Sequence, residues 1–330
     1  MSRIALRSPY FFTHTIGSVS GAVSAKLTIT IDTVLRYTLS KAVTAGSPTV
    51  FEVSELCRDY LTVNYDGSPT AGDTEIDIDL VMTFYDSSDT LITTISDTGN
   101  QGFDAYGYFS EGANYEPPYP LSSAASWLIA PKLGVNNDWE IFVPENKSGY
   151  LPYILNGNVA YQSYSGTATS VTIGVGVTCT INRTPCSKYD PQRITFINKY
   201  GQFQDLWFLL KKTLTTETTK ETYQGINLTS SGSSTTYDTT KPTKVLYNKE
   251  SKQRITLNSG YYPEGYNAVF EQLLESEQVW ILFLNSVGQT QYLPVNVVTS
   301  SFVEKTKLND KLIDYTIEFA EAYDKINNIR

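Results

Sequence analysis

The stretch at residues 193–210 constrains the fold of this chain more than any other. It contains two apolar runs, at 194–197 and 206–210, and the sequence Asn-Lys-Tyr-Gly lies between them. Apolar runs that are rich in β-branched and aromatic residues and interrupted by Asn and Gly are typical of a β-hairpin. The second run is apolar on both faces, which predicts that it is covered on both sides. Because the sequence changes in character across this hairpin, a second domain is predicted to begin here.

The length of the chain, 330 residues, allows one large domain or two to three ordinary ones. Residues 1–66 are predicted to form an N-terminal β region with a short helix, and residues 67–190 a β-sandwich-like domain. Residues 191–330 are predicted to form a smaller C-terminal α+β domain. The predicted fold class is therefore mainly β, with N-terminal β-sandwich-like regions followed by an α+β module in which one helix lies on an antiparallel sheet.

Alternation of apolar and polar residues predicts the strands of the N-terminal half. The segment at 54–61 has helical spacing instead, and Ser54 is its predicted N-cap. Further short strands between residues 127 and 181 recur about every ten residues, which favours a sandwich. The clearest strands are predicted at 25–31, 34–39, 76–84 and 91–95.

Two segments contain little that could form a core. Residues 97–126 combine Gly and Pro with many aromatic residues, and they are predicted to form a long loop that is either functional or an interaction surface. Residues 213–243 are dominated by Thr and Ser. They are predicted to form two exposed strands or an extended arm, which a neighbouring chain would order.

The C-terminal region has the most regular pattern. Apolar residues from Tyr266 to Leu274 recur at helical spacing, and Pro263 and Glu264 suit the start of that helix. Strands are predicted around it at 254–257, 279–284, 292–298, 301–307 and 315–319, with a turn at 308–310.

The chain is acidic, with a net charge of −9, although only 18% of its residues are charged. Nucleic acid is therefore not expected as a direct partner, because phosphate binding needs a basic face. The 24 Tyr and 14 Phe residues suit a protein that buries surface against partners, or simply a β-rich fold. No run approaches the roughly 20 apolar residues of a membrane helix, and the N-terminus lacks signal-peptide features. A soluble protein made in a cytoplasm, with no membrane partner, is expected.

Residue types that carry catalysis or bind metals are sparse. His14 is the single histidine, and Cys57, Cys179 and Cys186 fit no disulfide framework, although Cys179 and Cys186 could pair if their strands adjoin. Asp77 and Asp79 share a predicted strand face at a separation of about 7 Å. This spacing is compatible with a glycosidase pair and also with an ordinary solvated face. No cofactor, no metal and no catalytic residue is predicted.

Four segments carry a resemblance to a known family: RSPY at 7–10, FEVSELCRDYL at 51–61, ITFINKYG at 194–201 and KTKLNDKLIDYTIEF at 305–319. In these segments the chain resembles virion structural proteins of tailed bacteriophages that infect Bacteroidetes, crAss-like phages included. The resemblance implies a neck, ring or tail component that is repeated around the tail axis. It implies no catalytic residues.

The predicted function is a non-enzymatic structural subunit of a tailed-phage virion. Its expected partners are further copies of the chain in a ring and other virion proteins, such as portal-proximal ring or tail proteins. Its expected location is the neck or tail of the virion, after synthesis in the host cytoplasm. The residues predicted to lie in subunit interfaces are Tyr106, Tyr108, Tyr115, Tyr119, Tyr223 and Tyr237.

Two alternative functions use the same residues differently. The tyrosines at 103–119 could stack on sugar rings, which would suit a receptor- or glycan-binding tail protein. Asp77 and Asp79 could instead serve a glycan-cleaving enzyme.

Overall fold

The computed structural model describes residues 2–17, 21–44, 46–116, 126–129, 132–133, 138–155, 158–173, 176–185, 188–284, 287–306 and 311–325. Over these ranges the fold is mainly β, with several sheets and one longer helix near the C-terminus. The predicted fold class is therefore confirmed.

The N-terminal part contains seven strands and one short helix. Five strands form one sheet in the order β1-β7-β6-β3-β4, and β2 pairs with β5. The helix α1, Ser54–Arg58, follows β5. The strands are β1 Arg3–Ala5, β2 Phe11–Thr15, β3 Ser24–Ile31, β4 Val34–Ala42, β5 Pro48–Glu52, β6 Glu75–Tyr85 and β7 Leu91–Phe103.

One face of this sheet carries the first hydrophobic core. The alternation predicted for β3 and β6 is confirmed, since Leu27 and Leu80 are fully buried while their neighbours are partly or fully exposed. The β2–β5 pair and α1 cover the buried face with Phe12, Phe51 and Cys57. The N-terminal part therefore has two layers.

The middle part contains seven short strands in two small sheets. The sheet orders are β13-β14-β10-β9 and β12-β11-β8. The β10–β14 pair is parallel, whereas the other pairs are antiparallel. The strands are β8 Ser126–Leu128, β9 Lys132–Leu133, β10 Asp138–Pro144, β11 Gly149–Leu155, β12 Asn158–Tyr164, β13 Ser170–Ile173 and β14 Val177–Thr184.

The C-terminal part is built on a seven-stranded sheet in the order β16-β15-β22-β23-β25-β20-β17. Two small pairs accompany it, β18–β19 and β21–β24. Between β21 and β22 lies the helix α2, Asn267–Glu275. The strands are β15 Gln192–Ile197, β16 Phe203–Phe208, β17 Lys212–Gln224, β18 Leu228–Ser231, β19 Ser234–Tyr237, β20 Lys244–Asn258, β21 Tyr262–Pro263, β22 Val279–Leu284, β23 Thr290–Val297, β24 Leu312–Ile313 and β25 Thr316–Glu321.

The hairpin predicted at 193–210 is present as β15 and β16, and α2 packs beside it. The two strands pair antiparallel, and Gly201 in the turn has φ 75°, a conformation that favours glycine. The ring of Phe270 on α2 lies edge-on to Phe208 of β16, with 6.4 Å between the ring centroids. Val269 and Leu273 of the same helix are also buried. This arrangement is the predicted helix on an antiparallel sheet.

Neither predicted domain boundary separates two structural units. β3 pairs with β6 along eight residues, so the boundary between 66 and 67 cuts through one sheet. One core cluster joins Val143 and Ile181 of the middle part to Phe208 of the C-terminal part, so the boundary between 190 and 191 crosses a shared core. Both connections join strands far apart in sequence, and local patterns do not reveal them.

Three local predictions need correction. The segment predicted as a loop at 97–126 begins as strand, because β7 continues to Phe103. The strand predicted at 301–307 is not formed, since residues 301–306 have no regular structure, and the predicted turn at 308–310 lies outside the described residues. The helix predicted at 54–61 ends at Arg58, and its N-cap is Val53 rather than Ser54.

β17 and β20 extend beyond the C-terminal sheet as a two-stranded ribbon, here defined as residues 212–258 with the hairpin β18–β19 at its tip. β20 pairs with β17 over nearly its whole length, but it pairs with β25 only from Arg254 to Asn258. At the usual rise per residue, the ribbon reaches about 30 Å past the sheet before its tip. Of the two alternatives for 213–243, exposed strands are formed, although there are three of them, β17, β18 and β19, where two were predicted.

Candidate functional site

The tyrosines that follow β7 converge on the C-terminal end of α2. The Tyr106 hydroxyl donates a hydrogen bond to Glu275 Oε2 at 2.6 Å, and the Tyr108 hydroxyl donates to the same oxygen at 3.2 Å. The Arg7 guanidinium lies 4.7 Å from the centre of the Tyr106 ring. Burial, followed by the hydrogen bond to Glu275, raises the pKa of Tyr106 above its ordinary value. Tyr106 therefore holds together distant parts of this chain as a neutral phenol.

Lys199, in the β15–β16 turn, holds the next part of the segment. Its Nζ lies 2.7 Å from both carboxylate oxygens of Glu111 and 4.0 Å from the centre of the Tyr108 ring. The centre of the Tyr115 ring lies 5.0 Å from the same ammonium group. Although partial burial opposes it, the hydrogen bond from Lys199 holds the pKa of Glu111 below its usual range. The ion pair between Glu111 and Lys199 thus fixes residues 108–115 against the β15–β16 turn.

Phe109 stands on this fixed segment and is fully exposed. It begins a short 3₁₀ turn, Phe109–Glu111, in which the Tyr108 N–H donates to Glu111 Oε2 at 2.7 Å. The residues on either side are held by Glu275 and Lys199, so the exposed ring is displayed from a rigid support. An apolar ring that is exposed on an ordered support is a feature of binding anchors.

Acidic side chains lie close to Tyr108, the residue before Phe109. Glu275 and Glu304 are exposed, and Glu271 is half-buried one turn before Glu275 on α2. Burial, followed by the charges of Glu275 and Glu304, raises the pKa of Glu271. Val303, beside Glu304, is 72% exposed. We refer to Phe109, Glu111, Glu271, Glu275, Val303 and Glu304 as the acidic face.

Charged residues also join the N-terminal part to the segment that follows α2. Glu277, just after α2, pairs with Arg7 at 3.4 Å and with Arg58 of α1. Arg58 lies 3.8 Å from the buried carboxylate of Asp104. Burial raises the pKa of Asp104, and Arg7 and Arg58 oppose that shift. These pairs hold the N-terminal part against the α2–β22 connection.

The ribbon is the second candidate surface. Every residue of β17 is exposed, and one edge of this strand has no partner strand among the described residues. The Tyr223 and Tyr247 rings lie 6.1 Å apart across the ribbon. Several large apolar side chains exposed on one element make it a candidate interaction surface. The exposed apolar residues of the ribbon are Leu214, Tyr223, Ile226, Leu228, Tyr237, Leu246 and Tyr247.

The six tyrosines predicted to lie in subunit interfaces have different environments. Tyr106 and Tyr115 are buried against their own chain, and Tyr108 is half-buried beneath Lys199. Tyr223 and Tyr237 are 53% and 72% exposed, respectively. Tyr119 lies outside the described residues. The interface prediction therefore rests on the two ribbon tyrosines.

Sequence reasoning missed Phe109 and the acidic residues beside it. Glu271, Glu275 and Glu304 come from parts of the sequence far from Phe109, so only tertiary contacts join them into one face. The spacing of Glu271 and Glu275, four residues apart on a predicted helix, was the available signal.

The residues considered for catalysis are separated in the structure: Asp77 and Asp79 lie on β6, His14 lies on β2, and Cys57 and Cys179 lie in two different cores. Asp79 Oδ1 accepts a hydrogen bond from the Gly99 N–H at 2.7 Å at an irregularity in the β6–β7 pairing, and Asp77 is exposed. The His14 ring packs against Phe84 at 5.6 Å. Cys57 and Cys179 are buried free thiols, and burial raises the pKa of each to about 12. Cys186, and with it the considered pairing with Cys179, lies outside the described residues.

No group of three or more His, Cys, Asp or Glu side chains suited to a metal ion occurs in the described part of the chain. Over the same ranges, no helix has the length and apolar character needed to cross a membrane.

Comparison of the whole chain with known proteins gives no match among family models, curated proteins or solved structures.

Proposed function

We propose that this chain is a non-enzymatic structural subunit of a tailed-phage virion, and that it forms a ring or connector in the neck or tail through contacts with other subunits. The observation that carries the proposal is the ribbon, which extends from the sheet with every residue of β17 exposed and, among the described residues, one edge of β17 unpaired.

An unsupported ribbon is energetically unfavourable. An isolated two-stranded hairpin is at best marginally stable in water, because it orders many residues and buries little apolar surface. A free strand edge also presents unpaired N–H and C=O groups to other chains. A neighbouring subunit that covers the ribbon or pairs with its edge would supply the missing layer, as in known cases of strand addition.

The resemblance of four segments to virion structural proteins supports the type of assembly. The net charge of −9 agrees with a subunit that contacts proteins rather than DNA directly. The proposed partners are other copies of this chain and further virion proteins, at a neck or tail position. The proposal requires no cofactor or metal.

The test is the composition of the particles. Virions of a phage that encodes this chain would be purified, quantified by mass spectrometry and labelled with an antibody against the body of the protein. We expect several copies per particle and label at the neck or tail. Absence from purified particles would contradict the proposal, as would label confined to the capsid shell.

The glycan-binding alternative used the tyrosine rings of the 103–119 segment as stacking platforms. Tyr106 and Tyr115 are buried against this chain and cannot serve in this way, whereas Phe109 of the same segment is exposed. Stacking on a sugar needs an accessible ring face.

A further inference from the structure

The ribbon and the rest of the chain, here called the body, have net charges of opposite sign. Residues 212–258 contain seven Lys and Arg residues and four Asp and Glu residues, so the ribbon has a net charge of +3. Because the whole chain carries −9, the remainder carries −12. Counted with its base in the sheet, the ribbon is therefore basic, and the rest of the chain is strongly acidic. The projecting part alone, residues 216–253, contains five Lys and four Asp and Glu residues and carries a net charge of +1.

Within the ribbon, the strand register places the positive charge on one face. Successive side chains of a strand alternate between faces, and directly paired residues share a face. Lys220 pairs with Lys249, and Gln224 pairs with Lys244, so these three lysines share one face. Leu246, which pairs with Thr222, lies on the same face and is 47% exposed. The Glu residues of β17, at 217 and 221, lie on the opposite face. We call the first of these the lysine face.

The acidic face of the body has the complementary character. It combines the carboxylates of Glu271, Glu275 and Glu304 with the exposed apolar side chains of Phe109 and Val303. Burial and then the repulsion from Glu275 and Glu304 raise the pKa of Glu271, and a basic partner would relieve that repulsion.

We propose that the lysine face of the ribbon docks on the acidic face of a second copy of this chain, with Leu246 against Phe109 and Val303. This inference rests on the proposed function, because it names the partner of the ribbon in the assembly. The two surfaces differ, so the contact is head-to-tail and repeats from subunit to subunit. Such a contact closes into a ring when the rotation between neighbours permits.

The charge complementarity favours a second copy over a nucleic acid or a membrane. A polyanion would be attracted by three lysines but repelled by the body, which carries −12. The acidic face lies on the same chain as the lysine face, so each copy supplies both halves of the contact.

The experiment uses two charge reversals in the full-length chain. The ribbon variant is K220E/K244E and the body variant is E271K/E304K; all four residues are exposed or half-buried. Sedimentation velocity would be measured in low-salt buffer for wild type, for each variant, and for an equimolar mixture of the two variants. Circular dichroism would establish that each variant is folded.

We expect wild type to associate, and each variant to require at least about tenfold more protein for the same degree of association. The mixture should recover association, because each reversed ribbon then meets a reversed acidic face. Salt should weaken association of the wild type.

Matched controls change the same amount of charge elsewhere. K241E/K252E alters the tip loop and the opposite face of the ribbon, and D77K/E145K alters exposed acidic residues of β6 and of the turn after β10, outside the acidic face. Both controls should associate like wild type.

Three results would overturn the inference: a wild type that stays monomeric in low salt, charge-reversed variants that associate like wild type, or a mixture that does not recover association. None of them decides the proposed function, which depends on the presence of the protein in particles.

Discussion

At the scale of single residues, the buried ion pair between Arg193 and Asp205 is the most consequential polar interaction. Arg193 Nη1 lies 3.6 Å from Asp205 Oδ2, and both side chains are only 7% exposed. The hydroxyl of Thr195 donates to Asp205 Oδ1 at 2.6 Å, and Arg193 Nη2 donates to the Tyr292 hydroxyl at 3.1 Å. Although burial opposes it, the charge of Asp205 raises the pKa of Arg193. This buried ion pair joins β15 to β16.

Removal of one partner should lower the free energy of unfolding by more than the intact ion pair contributes to it, because the other charge is left buried. Asp205→Ala leaves the Arg193 guanidinium buried without its counter-charge, and we expect the free energy of unfolding to fall by about 3–5 kcal/mol. The measurement is chemical denaturation followed by tryptophan fluorescence.

The matched control is the exposed pair between Lys147 and Asp190, at 3.1 Å, in which Asp190 is 80% exposed. Asp190→Ala should change the free energy of unfolding by less than about 1 kcal/mol. Equal effects of the two substitutions would show that burial of the Arg193 pair has no energetic importance.

At the scale of elements, the loop between α1 and β6 joins the N-terminal part to the C-terminal sheet. The Tyr65 ring packs against three aromatic rings, with centroid distances of 4.8 Å to Phe203, 5.3 Å to Trp280 and 5.1 Å to Tyr292. Its hydroxyl lies 3.0 Å from the hydroxyl of Thr195. Gly67 follows with φ 99°, and a Cβ there would lie 2.1 Å from the Tyr292 ring. Glycine is thus required both by backbone conformation and by close approach.

We expect Gly67→Ala to lower the free energy of unfolding by about 2 kcal/mol or more, because the added methyl group strains the backbone and displaces Tyr292. Gly72→Ala is the control, since a Cβ at Gly72 meets no atom within 4 Å and its φ is not in the left-handed region. That substitution should have an effect within about 0.5 kcal/mol. Denaturation curves of the two variants check the prediction, and indistinguishable curves would contradict it.

At the scale of the whole molecule, the described buried residues form three hydrophobic clusters. One lies in the N-terminal layers and one is shared by the middle and C-terminal parts. A third, which includes Phe103, Tyr115 and Ile154, lies between them. The buried residues of these clusters come from the body and from the base of the ribbon, at Ile255 and Leu257. In the described part of the chain, the distal ribbon therefore lies outside all three clusters.

Replacement of residues 219–250 by a short glycine-containing turn should leave the body folded. We expect the free energy of unfolding to change by less than about 1 kcal/mol, because the removed residues are almost all exposed and lie outside the cores. The measurement is chemical denaturation, with near-ultraviolet circular dichroism as a check on aromatic packing. Loss of a cooperative transition would mean instead that the ribbon is part of the folding unit.

Much of the fold could be predicted because its elements are locally encoded. The alternation in β3 and β6, the Asn-Lys-Tyr-Gly turn between β15 and β16 and the helical spacing of α2 each depend on neighbouring residues. The exposed strands at 213–243 follow from composition, since Thr and Ser bury too little apolar surface to enter a core.

Only the tertiary structure decided how distant segments meet. The pairing of β3 with β6 removed a predicted domain boundary, and the burial of Tyr106 and Tyr115 against α2 and Lys199 turned two predicted interface residues into internal contacts. The acidic face joins residues near 110, 270 and 304, and the lysine face depends on the register between β17 and β20. Periodicity reports which side of a strand or helix is apolar, whereas the identity of the opposing surface depends on long-range packing. That is why the hairpin at 193–210 could be predicted and the surface around Phe109 could not.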